Sequence, residues 1–191
     1  MQSIVEILAQ ELGQKQQYVE NVVNLIDQGN TIPFIARYRK EMHGAMDDTT
    51  LRNLETRLTY LRNLQQRRDE VKKSIENQGK LTQELSEAID AAATMTEVED
   101  LYRPYKQKRR TRGSIAREKG LDPLAQAIFA QDGQDIQELA KDFISEEKGV
   151  ATAEDAIAGA LDIIAENLSD DADIRKALRE LCSRRGSLVS K

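Results

Sequence analysis

Apolar residues recur along most of the chain at intervals of three and four, the period of an α-helix with one buried face. Ile4, Leu8 and Leu12 share a face ahead of Gly13, and Tyr18, Val22, Leu25 and Ile26 repeat the spacing up to Gly29, so two helices joined by a turn are predicted. The stretch NTIPFIARYRKEMHG places Pro33 just after Thr31, where a first-turn proline sits, and leaves room for one brief helix. Leu51, Leu54, Leu58, Leu61, Leu64, Val71 and Ile75 then mark one long helix from Thr50 to Gln78, stopped by Gly79. At 1.5 Å per residue it spans roughly 40 Å, the width of a small domain.

The same period continues. Leu85, Ala88, Ile89 and Ala92 line one side of a helix, and Thr94 with Glu97 has the spacing of a capping box for a short helix that Pro104 must end. Ser114 is read as a helix cap, Asp122 as the cap of a helix with Pro123 in its first position, and Asp135 as the start of another. Two final helices are predicted: Thr152 to Leu168, with Ile157, Ala160, Leu161, Ile164 and Leu168 inward, and Asp171 to Arg185, with Ile174, Ala177, Leu178 and Leu181 inward. No alternating run of strand length is present, so the fold class is all-α: a multi-helix array without a sheet, built on one long central helix.

Composition narrows the function. The chain has 191 residues, 39% of them hydrophobic, enough for a buried core, and no Trp, which leaves Leu, Ile, Val and Ala to pack it. A single cysteine, Cys182, excludes an internal disulfide, and one Cys with one His, His43, cannot supply a structural zinc site. No apolar run approaches the roughly 20 residues of a membrane span, and the start lacks the features of a signal peptide, so the expectation is a cytoplasmic protein without a membrane partner.

Charge is spread unevenly. The net charge is -5, yet residues 103–119 hold eight Lys or Arg and one acid, while residues 120–173 hold two bases and fourteen acids. PYKQKRRTRG has no apolar period, so residues 103–113 are expected to form a connector that projects cations into solvent. Two readings are open. In one, Arg103, Lys106, Lys108, Arg109, Arg110 and Arg112 contact nucleic-acid phosphates, each contact releasing a condensed counterion. In the other, they dock on protein: the acidic helices beyond 120 or a domain outside this chain. Tyr102 and Tyr105 flank the run as base-stacking candidates or as packing anchors. The cations of the long helix, Arg52, Arg57, Arg62, Arg67, Arg68, Lys72 and Lys73, have the same two readings, a solvated salt-bridged face or a second phosphate surface.

Catalytic chemistry is sparse. His43 with Asp47 and Asp48 is a conceivable metal site, but Gly44 and Asp48-Thr49-Thr50 ahead of the long helix read as a turn and N-cap, Cys182 as a packing residue, and the crowded acids Glu97, Glu99 and Asp100 as charges favoured near a helix N-terminus. GxxxxGK[ST] and GxGxxG are absent, so no nucleotide cradle is visible. The expectation is a protein that is not an enzyme and carries no metal or cofactor.

Four strings carry a resemblance. TIPFIARYRKE, the long Leu/Arg helix followed by SIENQGKLTQEL, EDLYRPYKQKRRTRGSIAREKGLDPLA, and ALDIIAEN with IRKALRE together resemble the N-terminal region of the Tex family of bacterial transcription accessory proteins. Arg103 stands where the family usually has an apolar residue, and MHGAMDD replaces a more Gly-rich turn. The resemblance implies a larger cytoplasmic protein. Its remaining domains would be an RNase-H-like domain without catalytic residues, helix-hairpin-helix modules and a C-terminal OB-type RNA-binding domain. It also implies a helix-turn-helix-like part within this region, binding of RNA or DNA without sequence preference, and contact with the transcription machinery.

Overall fold

The computed structural model describes residues 3–106, 110–187 and 189–190. These residues are all-α, with eleven α-helices, one 3-10 turn and no strand; Ser145 and Val150 exchange backbone hydrogen bonds of 2.9 and 2.8 Å as an isolated bridge. The chain divides between Ser74 and Ile75 into two compact units.

In the first unit, α1 (Ile4–Leu12) begins at Ser3, whose hydroxyl accepts from the Glu6 amide while the Glu6 carboxylate accepts from the Ser3 amide. That exchange satisfies two amides which the helix start would leave bare. α2 (Gln16–Asp27), α3 (Ile32–Tyr38) and α4 (Asp48–Glu76) follow, the last two residues of α4 falling in the second unit. Leu8, Val19, Val22, Ile35, Leu51, Leu54 and Leu58 close one core. All seven apolar positions read for α4 are buried. The helix starts two residues early because Asp47, not Asp48, caps it: Asp47 Oδ1 accepts from the Thr50 amide at 2.7 Å, and Asp48 pairs with Arg52.

Arg52, Arg57, Arg62, Arg67 and Lys72 on the outer side of α4 are engaged by carboxylates. Arg57 makes two hydrogen bonds of 2.7 Å to Glu11 of α1, and Arg62 bonds Asp27 of α2 at 2.7 and 2.8 Å. Hydrogen bonding by Arg57 holds the Glu11 carboxyl below its ordinary range, and Arg62 does the same to Asp27. Arg67 and Lys72 reach Glu70 and Asp69 one turn away. His43 lies in the expected turn between α3 and α4; its side chain is 1% exposed, and neither ring nitrogen has a hydrogen-bond partner among the described residues.

The second unit contains α5 (Gln83–Ala91), α6 (Met95–Tyr102), the 3-10 turn Arg103–Tyr105, α7 (Arg112–Glu118), α8 (Asp122–Ala130), α9 (Ile136–Lys141), α10 (Ala153–Asp170) and α11 (Ala172–Arg185). Its core gathers Ala116, Leu121, Leu124, Ala125 and Ala140 around Ala156, Ala160 and Ile163 of α10. Two predicted faces are corrected here. α10 turns Ala156, Ala160 and Ile163 inward and leaves Leu161 and Leu168 exposed, with α7 packed closely on it at Gly113. A Cβ on Gly113 would stand 2.7 Å from Glu166 Oε2 and 3.2 Å from the Asp162 carbonyl oxygen. α11 buries no residue at all; Ile174, Leu178 and Leu181 face solvent and Cys182 is exposed.

Candidate nucleic-acid interface

The basic segment lies between the end of α6 and the start of α7. Thr94 caps α6 by accepting from the Glu97 amide at 3.2 Å, and Glu97 returns the bond to the Ala93 amide at 2.6 Å, one residue earlier than a strict capping box. Pro104 cannot continue the helix, and the chain tightens into the 3-10 turn, where the Tyr105 carbonyl accepts from Gln78 at 3.0 Å. Tyr102 and Tyr105 are both half-buried.

The expected connector is shorter than residues 103–113. Arg103 belongs to the 3-10 turn, while Arg112 and Gly113 belong to α7. Ser114 is not the cap. Thr111 caps α7 by accepting from the Ser114 amide at 2.9 Å, and the Ser114 hydroxyl accepts from the Thr111 amide at 2.8 Å. TRGS is therefore a capping box with Ser in the place where Glu or Gln is usual, which is why the sequence reading placed the helix start too late.

The six candidate cations separate by environment. Arg103 Nε donates to Asp170 Oδ1 at 2.8 Å, and Asp170 is buried, so this cation is tied to the end of α10. Arg110 reaches Glu118 at 3.2 Å and Arg112 reaches Asp162 at 3.6 Å, with side chains 71% and 86% exposed. Lys106 is exposed and makes no ion pair among the described residues. Lys108 and Arg109 lie outside the described residues. Arg103 and Lys106 border a depression of about 260 Å³ shared with Glu99, Asp100 and Arg175, so both signs of charge line it.

Arginines outside the predicted set organise the surroundings. Glu166 accepts from the Thr111 hydroxyl at 3.0 Å and from Arg117, which also donates to Asn167 at 2.6 Å. Asp100, 4% exposed, accepts from Arg175 at 2.5 Å and from Arg179. Asp100 is the sixth residue of α6, beyond the first turn where the helix dipole acts, and its polar partners are the two guanidiniums of α11. α10 thus receives Arg103 and Arg117, and Asp100 of α6 receives Arg175 and Arg179, while Lys106, Arg110 and Arg112 stand further into solvent. Among the described residues, no group of three or more His, Cys, Asp and Glu is placed to hold a metal ion, and no helix is long and apolar enough to cross a membrane.

Comparison with known proteins agrees with this architecture. The profile of the Tex-like protein N-terminal domain matches residues 2–76, and the Tex central region-like profile matches residues 131–191. The chain belongs to the Tex family. It is 47% identical over 188 residues to protein YhgF of Escherichia coli K12, covering 98% of this chain and 24% of that protein. It is 46% identical over 178 residues to the transcriptional accessory protein Tex of Neisseria gonorrhoeae, covering 93% of this chain and 23% of that one. It is 30% identical over 183 residues to human S1 RNA-binding domain-containing protein 1, covering 95% of this chain and 18% of the human protein. The chain thus spans about a quarter or less of the Tex relatives it matches. The first unit ends within two residues of the end of the N-terminal profile, at Ser74 against residue 76.

Proposed function

We propose that this chain is the helical N-terminal module of a transcription accessory protein and that it meets nucleic acid weakly, through backbone phosphates and without sequence preference. The contacts would come from Lys106, Lys108, Arg109, Arg110 and Arg112, with Arg103 reassigned to holding Asp170. The observation that carries this reading is the exposure of Arg110 and Arg112, 71% and 86%. Exposed ion pairs contribute little, so exchanging Glu118 or Asp162 for a phosphate costs these side chains almost nothing. Phosphate repays the exchange with counterion release and, for Arg, two parallel hydrogen bonds. RNA and DNA both present that backbone. A gonococcal relative named as a transcriptional accessory protein and a human relative named for an S1 RNA-binding domain support the setting. The reading involves no catalytic step and no cofactor, and it places the protein in the cytoplasm.

A salt titration tests it. If about three cations contact phosphates at once, log affinity against log salt has a slope of roughly -3 on duplex DNA. Changing Arg109, Arg110 and Arg112 to Gln flattens the slope by two to three units at an unchanged melting temperature. Arg103→Gln, as the contrast, lowers stability more than it changes the slope. An unchanged slope in the triple variant, with a lower melting temperature, rejects phosphate contact. It would favour a second reading, in which the segment is a scaffold clamp or a dock for other domains or the transcription machinery. The Arg103–Asp170 bond of 2.8 Å is the observation on that side.

A further inference from the structure

α11 has two distinct sides. Ala172, Arg175 and Arg179 are half-buried, and Ala172, Lys176 and Arg179 border a depression shared with α5 and α6. At 100° per residue, Ile174, Leu178 and Leu181 lie about 130° further round the helix. They are 36%, 54% and 50% exposed. Their spacing of four and then three is the seam that a second helix fills with knobs into holes. The seam also has an apolar neighbour. A cavity of about 270 Å³ between α8 and α10, lined by Ile163, Ile164 and Leu168 with the exposed Phe129, ends at Asp171, the cap from which α11 departs. A cap-to-tail run of exposed apolar side chains on a charged protein marks an interface.

We propose that this seam is the seat of an amphipathic helix supplied by the part of the longer Tex polypeptide that this chain does not span. Three observations select that occupant. The shared stretch is 24% of the E. coli relative, so most of such a polypeptide lies elsewhere. The central-region profile covers α11, so the seam lies in a region shared with those much longer relatives. Tethering within one chain also presents the partner at an effective concentration on the order of millimolar, enough for a seam of three side chains that would not hold a free partner. The seam begins at Asp171 and Asp173 and ends at Arg184 and Arg185, so the seated helix should carry bases towards the first pair and acids towards the second. This inference concerns α11 alone and stands whether or not the segment around Arg110 touches phosphates.

Cys182 lies one step round from Leu178 and is exposed, which makes it a reporter. Its modification by a maleimide, read by peptide mass, is compared in the 191-residue chain and in the longer polypeptide. The expected result is labelling at least about tenfold slower in the longer polypeptide, as a covered site that opens only transiently requires. Replacing Leu178 and Leu181 by Gln should restore fast labelling and lower the melting temperature there, while leaving the melting temperature of the 191-residue chain unchanged. Equal labelling in both, or a pair of substitutions without effect in the longer polypeptide, overturns the proposal. So does a concentration-dependent dimer of the 191-residue chain that protects Cys182 and is abolished by the same pair, because a second copy would then be the occupant.

Discussion

Asp100 is buried to 4% exposure and accepts hydrogen bonds from Arg175 and Arg179, 75 and 79 residues further on. Asp100→Asn keeps the shape but leaves two guanidiniums facing a neutral amide. With both arginines a third or more exposed, the loss should be about 2 kcal/mol rather than the larger cost of a fully buried pair. A urea midpoint measures it, and a loss no larger than that of an exposed-pair variant such as Arg110→Gln would show that water already does the work of Asp100. Local caps were legible in part: Thr94 caps α6 as its spacing predicts, and Asp135, Thr152 and Asp171 cap the helices read as starting at them, because a cap bonds an amide two or three residues away. Asp122, read as a cap, is instead the first residue of α8, which follows Leu121 without a side-chain cap bond. Asp100 was not legible, since nothing in the chain near it announces the arginines that close on it. His43 stands in the turn the sequence predicts, but its burial to 1% exposure was not legible there.

Among the elements, α4 was the most legible and α10 the least. α4 alternates Leu with charge, so only one face can be buried, and Leu58 and Leu61 are 2% and 7% exposed. Leu58→Asp should cost several kcal/mol by burying an unpaired carboxylate, and an unchanged melting temperature would mean that the helix can roll its other side inward. α10 carries Ile, Leu or Ala nearly all round, so periodicity alone does not choose a face, and contacts such as the close approach of Gly113 of α7 are not visible in the spacing. The two clamps on α4 also give the first unit an acid response. Glu11 and Asp27 have folded-state pKa values lowered by their hydrogen bonds from Arg57 and Arg62. A lowered carboxylate pKa stabilises fully above its unfolded value and is lost as pH falls through the folded one, so the contribution fades below about pH 4. Arg57→Gln with Arg62→Gln should reduce the steepness of acid unfolding there and lower stability slightly at pH 7. An acid transition identical to that of the parent chain would show that other carboxylates control it.

At the scale of the molecule, the acidic second unit is held together by arginines reaching across it: Arg103 to Asp170, Arg117 to Glu166, Arg175 and Arg179 to Asp100. Sequence charge counts revealed that a basic block faces an acidic one, but not which cations are consumed by the match, because that depends on which helix faces which. The consequence is sharpest for α11. A helix with no fully buried residue, anchored by two guanidiniums on one carboxylate, has less apolar surface to lose when it lifts away than α10, which buries Ala156, Ala160 and Ile163. It should therefore open at a lower free energy than α10, as a unit, long before the domain unfolds. Raising sodium chloride to about 1 M shortens the screening length to about 3 Å and weakens its attachment while leaving apolar packing intact. Native-state hydrogen exchange should then show the amides of residues 176–185 exchanging faster as salt rises, with those of residues 157–167 unmoved; two helices exchanging in step at every salt concentration would mean that they form one cooperative block. A chain built this way keeps its last helix on a latch, released by ions and not by heat.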